Sequence, residues 1–222
     1  MVEVMAPMGS RVQTQLPDGT TTWLNSGSVL SYTLPFENRE VNLRGEAFFN
    51  VKKDSLHPFV VSGKQGAVRV LGTRFNIDMW PDEEMMEVVL EEGRVEMIPE
   101  GSTHAFKMTP GDMFLYNSSK QTLTRKKVNP RHYSAWIDGK LMLRGENMHQ
   151  VARELSRWFN VDVVIDDKAL LNYTFRATFI DEKLEDVLRL LKLSSPIRYE
   201  IIDNQQDRSG NFSRKKVILH HQ

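Results

Sequence analysis

The sequence predicts two domains of different class: an N-terminal all-β domain over residues 1–130 and a C-terminal α+β domain over 131–222. Three observations carry this. Residues 9–127 show strand periodicity broken by turn residues, the period becomes helical after Asn129-Pro130, and the apolar positions of the second half repeat at a fixed offset. A chain of 222 residues suits one large or two small domains.

In the first half, Val12, Thr14 and Leu16 alternate and stop at Pro17-Asp18-Gly19, where Pro presets φ and Gly accepts a positive one. Trp23 to Gly27 reads as a short strand ending in a second turn. Val41 and Leu43 alternate up to Gly45, Ala47, Phe49 and Val51 follow, and Phe59 and Val61 resume beyond His57-Pro58. The densest stretch is Gly66 to Ile98. Val68 and Val70 alternate, as do Phe75, Ile77 and Met79, and the Gly72-Thr73 interruption between them predicts a bulge or a close backbone approach. Met86, Val88 and Leu90 lead into Glu91-Glu92-Gly93-Arg94, which reads as a hairpin with Gly93 left-handed, before Val95 and Met97. The whole stretch reads as a meander. Pro110-Gly111-Asp112 then separates Phe106 and Met108 from Phe114 and Tyr116. Many short strands with turns between them fit a sandwich, a barrel or an irregular β-helix.

In the second half, Met148, Val151, Ala152, Leu155 and Phe159 share one helical face, and the helix is expected to stop at Asn160. Val161, Val163 and Ile165 alternate as a strand. A second helix is expected from an Asp181 N-cap, with Leu184, Val187, Leu188 and Leu191 on its apolar face and Pro196 closing the region. Each of these four lies 36 residues after its counterpart in the first helix, and the strands on either side keep that offset. This predicts two strand–helix–strand units sharing a sheet, both helices on one face, with a final strand from Lys215 to His221.

Composition narrows the function. Lys and Arg number 29 against 29 Asp and Glu, so no net positive field draws nucleic acid. Zero cysteines exclude disulfides, thiolate zinc sites and a cysteine nucleophile. No apolar run approaches the roughly 18 residues of a membrane span, and the first residues lack the pattern of a signal peptide. His57, His104, His132, His149, His220 and His221 are scattered without metal-ligand spacing, which also argues against a cupin-like enzyme. The acidic pairs Glu83-Glu84, Glu91-Glu92, Asp166-Asp167 and Glu185-Asp186 read as solvated turns and helix starts. No nucleophile elbow or phosphate loop is present. The expectation is a protein without catalytic residues, metal or cofactor. Trp23, Trp80, Trp136 and Trp158 supply a rival reading, a glycan- or cell-wall-binding β module with an accessory α+β domain.

The motifs "VLGTRFNID" and "VVLEEGRVEM" resemble the signature of the FecR-like family of anti-sigma regulators. "LPDGTTTWLNSGSVLSY", "REVNLRGEAFFNV" and "HPFVVSG" precede them in the family's order, and "MTPGDMFLYN" and "SAWIDGKLML" follow. The resemblance spans roughly residues 4–202. It implies an STN-like C-terminal module, resembling the short N-terminal module of secretins and TonB-dependent proteins. It further implies a non-enzymatic sensor on the periplasmic face of the inner membrane, with a membrane helix upstream of this chain. The expected partners are the N-terminal signalling domain of a TonB-dependent outer-membrane transporter and, through a segment missing here, an extracytoplasmic-function (ECF) sigma factor. Docking is expected on the C-terminal strand, at Lys215, Lys216, Val217, Ile218, Leu219 and His220, because a strand that ends the chain outside the repeat should sit at a sheet edge and offer unpaired backbone groups.

Overall fold

The computed structural model describes residues 1–204 and 213–222. Two compact units divide between Ile137 and Asp138. The first runs past the expected boundary at residue 130 because Ala135 and Trp136 are buried in it. The Trp136 indole N–H donates to Asn76 Oδ1 at 3.2 Å, and Arg11 donates to the Trp136 carbonyl at 2.7 Å.

The first unit is a single thirteen-stranded sheet curled over one core. Its strands are β1 (Val2–Met5), β2 (Val12–Gln15), β3 (Thr21–Leu24), β4 (Val29–Tyr32), β5 (Glu40–Asn50), β6 (Phe59–Gly63) and β7 (Gly66–Val70), then β8 (Arg74–Met79), β9 (Met85–Glu92), β10 (Val95–Pro99), β11 (Phe106–Met108), β12 (Asp112–Asn117) and β13 (Thr122–Lys127). The long strand β5 is the pivot. Its first half lies between β4 and β6, its second half between β3 and β8. Between the halves stands Gly45 at φ 122°, where a Cβ would collide with Ser28. The Ser28 hydroxyl takes the vacated room, accepting from the Glu46 N–H and donating to the Glu46 carbonyl, both at 2.9 Å.

Phe49 sits at the centre of the core, stacked on Phe75 at 5.3 Å and tilted against Phe59 at 5.7 Å, all three fully buried. Each such ring contributes about 1.5–3 kcal/mol through removal from water. One buried cation lies beside them. Arg39, 5% exposed, pairs with Asp18 at 2.7 Å, donates to the carbonyls of His57 and Lys52, and lies over the Phe59 ring. Its donors bind three chain segments at once, which compensates the loss of water around the charge.

The Gly66–Ile98 stretch is not a meander. β8 and β9 pair with each other, whereas β7 and β10 pair with each other in the other arm of the sheet. The turn at Gly93 is therefore no hairpin: β9 continues to β12 and β8, and β10 to β7 and β11. At Gly72 and at Gly93 the chain passes from one arm to the other. Gly72 has φ 150° and packs on the Lys53 backbone. Gly93 has φ 94°, and a Cβ on it would stand 2.7 Å from the Gly72 carbonyl. The close approach expected at Gly72-Thr73 is thus between the two crossings themselves. The Thr73 hydroxyl adds a hydrogen bond to the Arg94 carbonyl at 2.9 Å.

The second unit contains β14 (Lys140–Asn147), α1 (Met148–Phe159), β15 (Asp162–Ile165), β16 (Thr174–Ile180), α2 (Leu184–Ser194), β17 (Ile197–Ile202) and β18 (Lys216–His221). Asn147 caps α1 in a reciprocal box with Gln150, and Asn160 ends it at φ 53°. α2 begins later than the Asp181 cap predicted. Lys183 holds the N-cap position without a side-chain bond, and Asp181 lies outside at φ 61°. The buried residues of α1 are Met148, Val151, Ala152 and Leu155, and those of α2 are Leu184, Val187, Leu188 and Leu191. The two units do not share one sheet. β14 pairs with β16 alone, antiparallel, while β15 and β17 lie on either side of β18. The inserted last strand is what keeps β15 and β17 from meeting.

Candidate functional site

The strand expected to dock a partner is the centre of its sheet, not an edge. β18 is parallel to β15 and antiparallel to β17. The Gln222 N–H bonds the Pro196 carbonyl at 2.9 Å, which fixes the alternation: Lys216, Ile218 and His220 direct their backbone groups to β17. Val217 and Leu219 direct theirs to β15, in step with the Asp162 N–H bound to the Lys215 carbonyl at 2.8 Å. Their side chains are also committed, since Val217 and Leu219 are buried in the second core. His220 bonds Asp166 at 3.0 Å, and His221 meets the Tyr173 hydroxyl at 3.2 Å. Lys215, just ahead of the strand, is held by Asp203 and Glu185, whose hydrogen bonds raise its pKa. An incoming strand finds no open backbone on β18. The sequence reading failed because a chain end outside a repeat carries no information about which neighbour it enters between.

The edges of that sheet are β15 and β17. On β17 the same alternation leaves the backbone groups of Tyr199 and Ile201 facing away from β18. Exposed apolar side chains on the unit are Val164 on β15, Leu171 between β15 and β16, Ile180 on β16 and Leu190 and Leu193 on α2.

None of the four tryptophans is exposed. Trp136 is buried, Trp23 packs edge-on against Phe48 at 5.8 Å, Trp80 lies half-buried near Met8 and Gly27, and Trp158 packs against the second core. The glycan platform that the tryptophans suggested would have to be built from half-buried rings. Among the described residues, no group of three or more His, Cys, Asp or Glu is placed to hold a metal ion.

A concave feature of the first unit lies at the Gly72–Gly93 corner. It is a groove of about 1020 Å³. Val70, Val95 and Met108 line it and come into register across β7, β10 and β11. Lys53, Arg69, Arg94 and Lys107 also border it, with Glu96 the one carboxylate among its described lining residues. Arg69 pairs with Glu96 at 3.5 Å. The sequence reading passed over these cations because it put Gly93 in a hairpin and so placed Arg94 at a loop tip. The usable signal was the pair of crossings at Gly72 and Gly93, each flanked by a basic residue within three positions.

Asp112, hydrogen-bonded to the groove's lining residue Thr109, is fully buried at the turn into β12. Burial pushes its carboxyl pKa up. The hydrogen bonds from the Thr109 N–H at 2.7 Å, from Arg125 at 2.8 Å, from Lys127 and from the Thr109 hydroxyl outweigh burial and hold it well below the usual carboxylate range. The cluster clamps β12 to β13, whose basic residues stand at the sheet's end.

Comparison with known proteins agrees with the motif order. The FecR protein family profile matches residues 3–96, and the FecR C-terminal profile matches 140–206. No curated protein matches the sequence. Two crystal structures described as "a putative anti-sigma factor from Parabacteroides distasonis" superpose over the entire chain. Each is 28% identical, with TM-scores of 0.86 and 0.85 and coverage of 100% and 99% of the matched chains. No helix among the described residues is long and apolar enough to cross a membrane. Both profiles lie in the order the motifs set, on a fold shared along its whole length, and the chain belongs to the FecR family of sigma regulators.

Proposed function

We propose that this chain is the periplasmic, non-enzymatic sensor region of an anti-sigma regulator. It receives a signal from the N-terminal signalling domain of a TonB-dependent outer-membrane transporter. A membrane helix and cytoplasmic segment outside this chain then pass it to an ECF sigma factor. Family membership supports the regulatory role. The open edge of β17 supports the docking mode, because Tyr199 and Ile201 offer backbone donors and acceptors to an added strand, giving affinity without a deep pocket. The docking assigned to the C-terminal unit thus moves from β18 to its neighbour.

The test is calorimetric titration of this chain with a purified transporter signalling domain from the same genome. Wild-type protein should bind saturably. Ile201→Pro removes an outward N–H without breaking a ladder bond, and should weaken binding by about tenfold or more. Ile201→Ala keeps the donor and should bind nearly as wild type. Equal binding by all three would remove β17 from the interface. Absence of binding by wild type with every available transporter signalling domain would remove the relay.

A further inference from the structure

We propose that the groove at the Gly72–Gly93 corner binds an extended acidic peptide segment of a partner protein, at a site separate from the β17 edge. Four cations from four separate chain segments, Lys53, Arg69, Arg94 and Lys107, face one carboxylate, Glu96. Arg69 shares that carboxylate, and Lys53, Arg94 and Lys107 have no ion-pair partner among the described residues. Uncompensated like charge gathered around a concavity is unfavourable unless an anion enters it. The occupant is therefore acidic.

Its shape follows from the sheet register. Arg69 and Lys107 both stand opposite Glu96, on strands either side of β10. Two strand spacings separate their Cα atoms by about 10 Å. The two cations thus form a row across β10, with Glu96 between them, rather than a single point. Carboxylates two residues apart on an extended chain lie about 7 Å apart and reach both with ordinary side-chain freedom. Leu71 and Pro58, both exposed on the groove's border, offer apolar surface for the alternate side chains of such a chain. The volume, about 1020 Å³, is at the upper end of small-ligand pockets and suits several residues of peptide. A concave site also disfavours a flat membrane surface, and the chain's zero formal net charge disfavours nucleic acid.

The corner keeps the groove open. With Gly93 against the Gly72 carbonyl, both crossings present bare backbone rather than side chains where they line the groove.

The experiment uses this chain and a fluorescein-labelled twelve-residue probe of alternating Glu and small apolar residues, followed by fluorescence anisotropy at low and at physiological salt. Saturable binding is expected with the Glu probe and not with its Gln counterpart. Arg94→Glu and Lys107→Glu, both at exposed positions, should each weaken it by about fivefold or more. Lys192→Glu on exposed α2 should leave it unchanged. If either reversal lowers the melting temperature, Lys53→Glu and the neutral Lys107→Gln replace it. Anionic vesicles and inorganic phosphate serve as separate arms. No saturable binding of the Glu probe, equal binding of the Gln probe, or indifference to the groove substitutions would overturn the proposal. Groove-dependent binding of vesicles or phosphate without binding of the peptide would overturn it too, in favour of that other anion.

Discussion

At the scale of single residues, Asp112 and Arg39 show how this β unit accommodates buried charge. Each is ringed by hydrogen bonds to groups distant in sequence, so neither is an isolated ion in an apolar medium. Asp112 yields a prediction with a definite sign. Its folded pKa lies below the unfolded value of about 3.9, so its contribution is complete above about pH 5 and is lost as pH falls toward the folded pKa. Asp112→Asn should destabilise the protein at pH 7 by about 1–3 kcal/mol, since Arg125 and Lys127 lose their charged acceptor. The gap between variant and wild type should shrink below about pH 4, as chemical denaturation across a pH series would show. A gap that stayed constant or widened on acidification would contradict this. The sequence marked Pro110-Gly111-Asp112 only as a turn. Its ion partners lie on the following strand and leave no local pattern. Arg39 was equally illegible, because a lone arginine before a strand has the same signature whether solvated or buried.

At the scale of elements, alternation and helical spacing were legible because they depend on neighbours in sequence. The four buried positions of α1 and of α2 are those the 36-residue offset marks, and Asn160 ends α1 where expected. What failed was pairing. Glu91-Glu92-Gly93-Arg94 has the composition of a hairpin, yet β9 and β10 do not pair. A glycine at positive φ permits both a hairpin and a crossing between arms, and only the distant partners β7 and β12 decide between them. The same holds for β18. The Gly93 crossing makes its own prediction. Gly93→Ala places a methyl against the Gly72 carbonyl at a φ that side chains rarely adopt. A loss of about 2–3 kcal/mol is expected, with acidic-probe affinity reduced as well. Thermal melting beside the anisotropy titration would read both. A left-handed glycine at a hairpin tip in solvent would instead lose only the roughly 1 kcal/mol of backbone strain, with no effect on the acidic probe.

At the scale of the whole molecule, the two units reach stability by different routes. The first carries a large aromatic core and a long pivot strand. The second is small and divides its strands between two sheets. Deleting residues 216–222 should leave the cooperative unfolding of the first unit in place and abolish that of the second, as differential scanning calorimetry would register. A second transition that survived the deletion would show that β15 and β17 can close without β18. The reason for expecting otherwise is topological. β15 and β17 have no ladder with each other, and β18, which follows both in the chain, is the strand that joins them. Its parallel pairing to β15 closes a loop of some fifty residues, a slow and entropically costly step. Until it closes, the second unit's apolar faces have no complete sheet to bury against. Loss of β18 thus costs β17 the ladder that holds it as a sheet edge, and a variant without that strand should present no finished β17 edge to a partner.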